Sequence, residues 1–349
     1  MTWTQAETDW LLSHAAHGLS QRGYVEFQSI FPANVHSLTA WRSKLRRVRK
    51  SLAPVLPAAG VSDAREERLR WLRDVIADGK DVRVPRGVTE TVTTRPSLVV
   101  LLSDMHFGEL TDDGYCLAVA AQRVLSVPVM LKRRHTEPLK EIVIILAGDI
   151  VDGSGVFRSQ RARLECNALE QVRQAMRALW DMLGLFAVLF PDVVIRVATV
   201  PGNHGRVSHD HHEEANWDNA VYSMLSVANE MAGYPYQVEL NFKKFYVVEV
   251  NGTKGLINHK GTKHLGTPAM MKRYTGWEKR FGFDWFVHGH WHKFGVNTWF
   301  NKLVMCNGST AGPNELSDDM GVLDPLRQGW ILVRGPGLFP ETGCLEWSF

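Results

Sequence analysis

The feature that most limits how this chain can fold is a series of short, unbroken apolar runs that begins at Leu98. They read LVVLL (98–102), IVIIL (142–146), VVIRVATV (193–200), YVVEV (246–250), GLIN (255–258), FDWFV (283–287) and LVMC (303–306). A strand with one face in water alternates apolar and polar residues, whereas most of these runs do not and so need cover on both faces. Helical patterns lie between several of them, the clearest spanning Leu164 to Phe190. Strands of this kind alternating with helices predict an α/β domain whose sheets are buried on both sides.

The second constraint lies at the carboxyl ends of the runs. LVVLL leads into Asp104 and His106, and IVIIL into AGDIVDG with Asp149 and Asp152. VVIRVATV leads into PGNHGR with Asn203 and His204, GLIN into His259, and FDWFV into HGHWHKF with His290 and His292. Glycine directly precedes Asp149, Asn203 and His290, permitting tight turns and close approach. Ligands of open α/β sheets bind at the carboxyl ends of strands, which is where these oxygen and imidazole donors fall. Neutral imidazole together with carboxylate suits manganese, iron, zinc, cobalt or nickel, while calcium and magnesium sites rarely recruit several histidines. The donors outnumber the needs of one catalytic ion. Two ions about 3.5–4 Å apart, sharing a carboxylate, would use them all and clamp an in-line displacement at phosphorus.

In order, DxH, GDxxDG, GNH, a lone His and GHxH make a series that resembles the calcineurin-like metallophosphoesterase superfamily, from about Ser97 to Val333. The resemblance implies a four-layer αββα sandwich and a hydrolase of phosphate esters. It implies that Asp104, His106 and His292 hold one divalent ion, that Asn203, His259 and His290 hold the other, and that Asp149 bridges them. Manganese is the first expectation, with iron, zinc, nickel and cobalt as alternatives. His204 matches the histidine that stabilises the transition state or protonates the leaving oxygen, and Asp152 the carboxylate that orients it. A metal-bridging hydroxide would be the nucleophile. Many members carry an acid after GNH, but here Gly205 and Arg206 take its place. Arg206 is expected either to face the substrate phosphate or to be a solvated loop residue. The segment from Gly308 to Val333 is similar to the corresponding part of phosphoesterases encoded by bacteriophages, which implies a phage or prophage origin and a role in DNA metabolism.

Residues 1–52 read as a separate helical module. Trp3, Trp10, Leu11 and Ala15 fall at helical spacing, and a basic third helix, SLTAWRSKLRRVRK, carries Arg42, Lys44, Arg46, Arg47 and Arg49. The module is similar to the Myb/SANT type of three-helix DNA-binding repeat, although it lacks the full tryptophan triad. A basic helix of this kind can enter a major groove, or it can be the solvated face of a packing domain. Residues 53–96 read as a linker with one helix, AREERLRWLRDVIADG, and 97–349 as the phosphoesterase domain. A net charge of +3 neither demands nor excludes a polyanionic partner.

Four cysteines lie far apart with no CxxC, which fits a reducing compartment and not a thiolate metal site. No signal-like start and no membrane-length apolar run is present, so a soluble cytoplasmic protein without membrane contact is expected, in the host cytoplasm if phage-encoded. The segment HDHHEEANWDN (209–219) reads as a surface loop near the site, LKRRH (131–135) as a helix end, and Trp180 as core. Lys260, Lys263 and His264 read as a phosphate-facing loop or an ordinary solvated turn. Together these readings predict a dinuclear metal-dependent phosphoesterase acting on nucleic acid, as a nuclease or an end-processing phosphatase. The alternatives are a small-molecule or nucleotide phosphatase, a cyclic phosphodiesterase and, last, a non-catalytic scaffold.

Overall fold

A computed structural model describes residues 95–347 apart from 112, 157–162, 209–213, 235, 264–266 and 313–325. The helices expected before residue 95, with Arg42, Lys44, Arg46, Arg47 and Arg49, lie outside the described residues.

The apolar runs become strands of two sheets. In the first, β1 (Ser97–Leu102), β2 (Glu141–Leu146), β3 (Val194–Thr199) and the short β4 (Gln237–Glu239) pair in parallel. On the other side of β1 the chain adds β10 (Leu326–Val333) and β11 (Glu341–Trp347), both antiparallel. The second sheet runs in the order β5 (Phe245–Val250), β6 (Thr253–Lys260), β7 (Trp285–Gly289), β9 (Lys302–Cys306) and β8 (Gly295–Trp299). Its central pairs β6–β7 and β7–β9 are parallel. Asn251 and Gly252, both with positive φ, make the two-residue turn of the β5–β6 hairpin.

The period of two along each strand sorts the side chains into layers. Val99 and Leu101 of β1, Val143 and Ile145 of β2, and Ile331 of β10 meet Ile257, Trp285, Val287 and Met305 of the second sheet in one buried cluster. Leu98, Val100 and Leu102 point the other way and are equally buried, as the cover of α1 (Leu117–Arg134), α2 (Ala168–Leu189) and α3 (Trp217–Ala232) requires. On the far face of the second sheet, Met270 and Tyr274 of α4 (Pro268–Phe281) pack with Leu256, Phe286 and Val304. The expected αββα sandwich is therefore the fold. The one charge inside the run VVIRVATV is paired, since Arg196 donates to Glu141 on β2 at 3.0 Å and to Glu239 on β4 at 2.7 Å.

Helix ends obey their local signals. Asn167 and Thr267 accept hydrogen bonds from Glu170 N–H and Met270 N–H at the starts of α2 and α4. Glycines 233 and 282, in left-handed conformation, stop α3 and α4. Lys132, Arg133 and Arg134 occupy the last turn of α1, complementing its dipole as expected from LKRRH. Trp180 is only half-buried, its ring 5.3 Å from that of Tyr234, so it belongs to the margin of the core. No helix among the described residues is long and apolar enough to cross a membrane.

Candidate active site

Where the strands end, the backbone turns sharply. Among the described residues, eight that are not glycine have positive φ, and five of them are Asp104 (52°), His106 (45°), Asp149 (51°), His290 (75°) and His292 (52°). A left-handed residue with a side chain costs about 1–2 kcal/mol, and such strain persists only where the surroundings enforce it. Two glycines explain how the turns fit together. Gly148 has φ of 84°, and a Cβ there would strike the backbone of Gly202; a Cβ on Gly202 would strike Asp149. The loops after β2 and β3 therefore touch backbone to backbone, directly beneath Asp149.

These turns aim donors from both sheets at one rim. Asp104, His106 and His292 each place a donor within 4.8 Å of the others, and so do Asp149, His259 and His290. In the first group His106 Nε2 lies 3.1 Å from His292 Nε2, which lies 3.4 Å from Asp104 Oδ1. In the second, His259 Nε2 lies 3.0 Å from Asp149 Oδ2 and 3.1 Å from Asn203 Oδ1. Donors that bind one ion at about 2.1 Å sit about 3.0–3.4 Å apart at octahedral or tetrahedral angles, so both groups have the spacing of a coordination shell. His259 Nδ1 lies 2.7 Å from the Ala147 carbonyl, which can only accept, so Nδ1 keeps its proton and Nε2 is the nitrogen that can ligate once its own proton is displaced. Two imidazole nitrogens facing each other at 3.1 Å need a proton or a cation between them. The residues present thus fit divalent metal ions.

Electrostatics point the same way. Burial alone would push Asp149 up, yet the imidazoles of His259 and His204 hold its carboxyl well below the usual range. Burial of Asp104 is likewise outweighed, here by His292. Burial opposes charge on His106, but its hydrogen bond to Asp152 and the acids around it raise the imidazole to about 10. His259 is raised against burial to about 9 by Asp149. His290 is pushed down to about 3 by burial and by His259, leaving a neutral ring suited to ligation. The rim is a place that demands positive charge.

Beside it, His204 Nδ1 lies 2.8 Å from Asp152 Oδ1, and His106 Nδ1 lies 3.2 Å from the same oxygen. Burial would raise Asp152, but these two hydrogen bonds hold it at about 2, so it stays ionised. Next to Asn203 and His259 a cleft of about 370 Å³ opens, lined also by Arg206, Lys244, Phe245 and Lys260. Arg206 therefore faces the cleft, with its Nε donating to the Asn203 carbonyl at 3.1 Å. Lys260, the last residue of β6, lies on the same cleft, while His264 is outside the described residues.

One expectation needs correction. The segment 209–219 is not a surface loop throughout: its described part caps and begins α3, and Asp218 is fully buried. The Asp218 carboxylate accepts N–H bonds from Asp149 (3.0 Å), Ile150 (3.0 Å), Val151 (3.2 Å) and Gly202 (2.9 Å). It thereby ties the turn bearing Asp149 to the turn bearing Asn203. Burial and the neighbouring Asp149 push its carboxyl up to about 6, against the pull of those N–H groups. The signal available was the Asn-x-Asp start of an amphipathic helix. A second buried network supports Asp104. Asn307, just after β9, donates to Ser103 Oγ at 2.9 Å and to Gln328 Oε1 at 2.7 Å, and Ser103 Oγ donates to the Asp104 carboxylate.

Comparison with known proteins gives a family and distant structural neighbours. The family model described as calcineurin-like phosphoesterase matches residues 97–294. No curated protein matches the sequence. Among solved structures, an archaeal phosphodiesterase is 13% identical with a TM-score of 0.37, covering 72% of this chain and 99% of its own. A predicted phosphoesterase from Streptococcus pneumoniae is 16% identical with a TM-score of 0.31, covering 72% and 98%. Vacuolar Protein Sorting 29 from Cryptosporidium parvum is 15% identical with a TM-score of 0.34, covering 73% and 100%. With the family model spanning more than half of the sequence and the donor groups at the strand ends, the chain belongs to the calcineurin-like phosphoesterase family and is a metal-dependent phosphoester hydrolase.

Proposed function

We propose that the substrate is nucleic acid, cleaved within the strand or at a phosphorylated end. The observation that carries this reading is the cleft against Asn203 and His259, which sets three cationic side chains and an aromatic ring beside the candidate metal donors. Polyanionic backbones are held by such cations, and bases by such rings. In this reading Asp104, His106 and His292 hold one ion, Asn203, His259 and His290 the other, and Asp149 serves both, with manganese the expected metal. When bound, the ions supply Lewis-acid charge on phosphoryl oxygen and activation of water.

The remaining work belongs to the side chains. Asp152 stays ionised and holds the Nδ1 proton of His204, so His204 exchanges its proton with the leaving oxygen at Nε2. The Arg206 guanidinium, fixed through Nε, presents its other donors to a phosphate oxygen.

A single specific observation favours a second reading. The cleft volume, about 370 Å³, lies near the lower end of the range for sites that take one small molecule, which suits a mononucleotide or cyclic nucleotide. Turnover by the manganese-loaded full chain of single-stranded DNA, duplex DNA, mononucleotides, cyclic nucleotides and bis-p-nitrophenyl phosphate separates the readings. Hydrolysis of DNA with higher kcat/KM than any mononucleotide supports the first; the reverse order overturns it. Loss of all turnover in Asp149→Asn is required by either.

A further inference from the structure

We infer that the cleft is a subsite for one unpaired nucleotide next to the scissile phosphate, with the base on Phe245 and a flanking phosphate between Lys244 and Lys260. This rests on the nucleic-acid reading above and narrows it to single strands and frayed ends.

The geometry starts from the β5–β6 pair. Phe245 opens β5, an outer strand of its sheet, and lies opposite Asn258 in register. Its half-buried ring is backed by α4, stacked on Phe281 at 5.0 Å and meeting Trp277 edge-on at 5.3 Å. A ring ordered on one side by two aromatics loses little further entropy when a base covers what remains exposed. Lys244 and Lys260 are both exposed, and both line the same cleft as Phe245. Asn258 lines it too, and its Nδ2 donates to the Lys244 carbonyl at 2.8 Å, which fixes the backbone that carries Lys244 and Phe245. His259 and Asn203, on the wall of the same cleft, place it within one nucleotide of the reacting phosphate.

Paired bases present edges, not faces, so a nucleotide can lie on Phe245 only when it is unstacked. The volume accommodates one such unit and no duplex.

The test is a cycle between protein and substrate. Full-length wild type and Phe245→Leu, which retains an apolar side chain against Trp277 and Phe281, are assayed with manganese on a short single-stranded DNA. The same DNA with one abasic site beside the cleaved bond is the second substrate, and unchanged thermal unfolding of the loaded variant serves as the folding control. Phe245→Trp is the rescue variant. The expected result is that Phe245→Leu raises KM about 5- to 150-fold on intact DNA, that the abasic site does the same to wild type, and that the two losses do not add. Lys244→Gln should lower the slope of log KM against log salt by about 0.7, the value for one phosphate contact on a single strand. Additive losses, or a variant indistinguishable from wild type on intact DNA, would overturn the subsite alone. Hydrolysis of bis-p-nitrophenyl phosphate without any cleavage of DNA would overturn the nucleic-acid reading together with the subsite.

Discussion

Replacing Asp218 by asparagine tests whether one buried carboxylate holds the two central turns in register. In the native protein Oδ2 accepts from Asp149 and Gly202, and Oδ1 from Ile150 and Val151. The amide keeps one oxygen and turns the other into a donor, so two buried N–H groups lose their acceptor and face another donor. Each unsatisfied group costs about 1–3 kcal/mol, which puts the loss for Asp218→Asn at about 2–6 kcal/mol. Asp218→Ala orphans all four, a loss of about 4–12 kcal/mol, comparable with the entire stability of a domain. Urea unfolding of the metal-free protein measures the first value, and expression of folded material reports the second. Because the loosened turn carries Asp149, manganese affinity by calorimetry should fall in Asp218→Asn even where the protein remains folded. A stability change below about 0.5 kcal/mol with unaltered affinity would refute the reasoning.

Three further outcomes are expected. On the reading above, in which His204 passes a proton to the leaving oxygen, His204→Ala should lower kcat on a DNA phosphodiester by about 10²- to 10⁴-fold and affect bis-p-nitrophenyl phosphate, whose p-nitrophenolate leaves unprotonated, far less, with manganese stoichiometry equal to that of wild type. In the metal-free protein His106 and His259 remain protonated up to about 10 and about 9, and metal binding must displace those protons. Apparent affinity should therefore rise as pH increases from 6 to 8, by about tenfold per unit for each proton displaced, and calorimetry in buffers of different ionisation enthalpy counts the protons. Gly148→Ala should cost about 2–5 kcal/mol in urea unfolding, because the new Cβ meets the backbone of Gly202 at a φ of 84°.

What could be read in the sequence was whatever announces itself locally. LVVLL and IVIIL are buried at every position, and such runs serve only where a strand is covered on both faces. The donors were legible because each comes directly after a run. His259 differs slightly: it lies within β6 rather than after it, because the strand continues to Lys260. Four strands are not among the apolar runs: β4, β8 and β11 are outermost in their sheets, where half-exposed residues and mixed composition leave no run, while β10 is interior but has its apolar pattern broken by Arg327, Gln328 and Gly329. Asp218 escaped for another reason. Its partners are backbone groups in turns 16 to 69 residues away, and a main-chain N–H has no sequence signature. Lys244 and Phe245 escaped similarly, being adjacent to a run that already accounted for its own neighbours.

Two of the donor groups draw on both sheets: Asp104 and His106 come after β1 while His292 comes after β7, and Asp149 and Asn203 come after β2 and β3 while His259 and His290 belong to β6 and the end of β7. A cation seated in either of these groups would therefore be a clasp across the sandwich as well as a reagent. Pulling the halves apart must break it at the catalytic rim, so the motion that would dismantle the domain and the motion that would switch off its chemistry are one and the same.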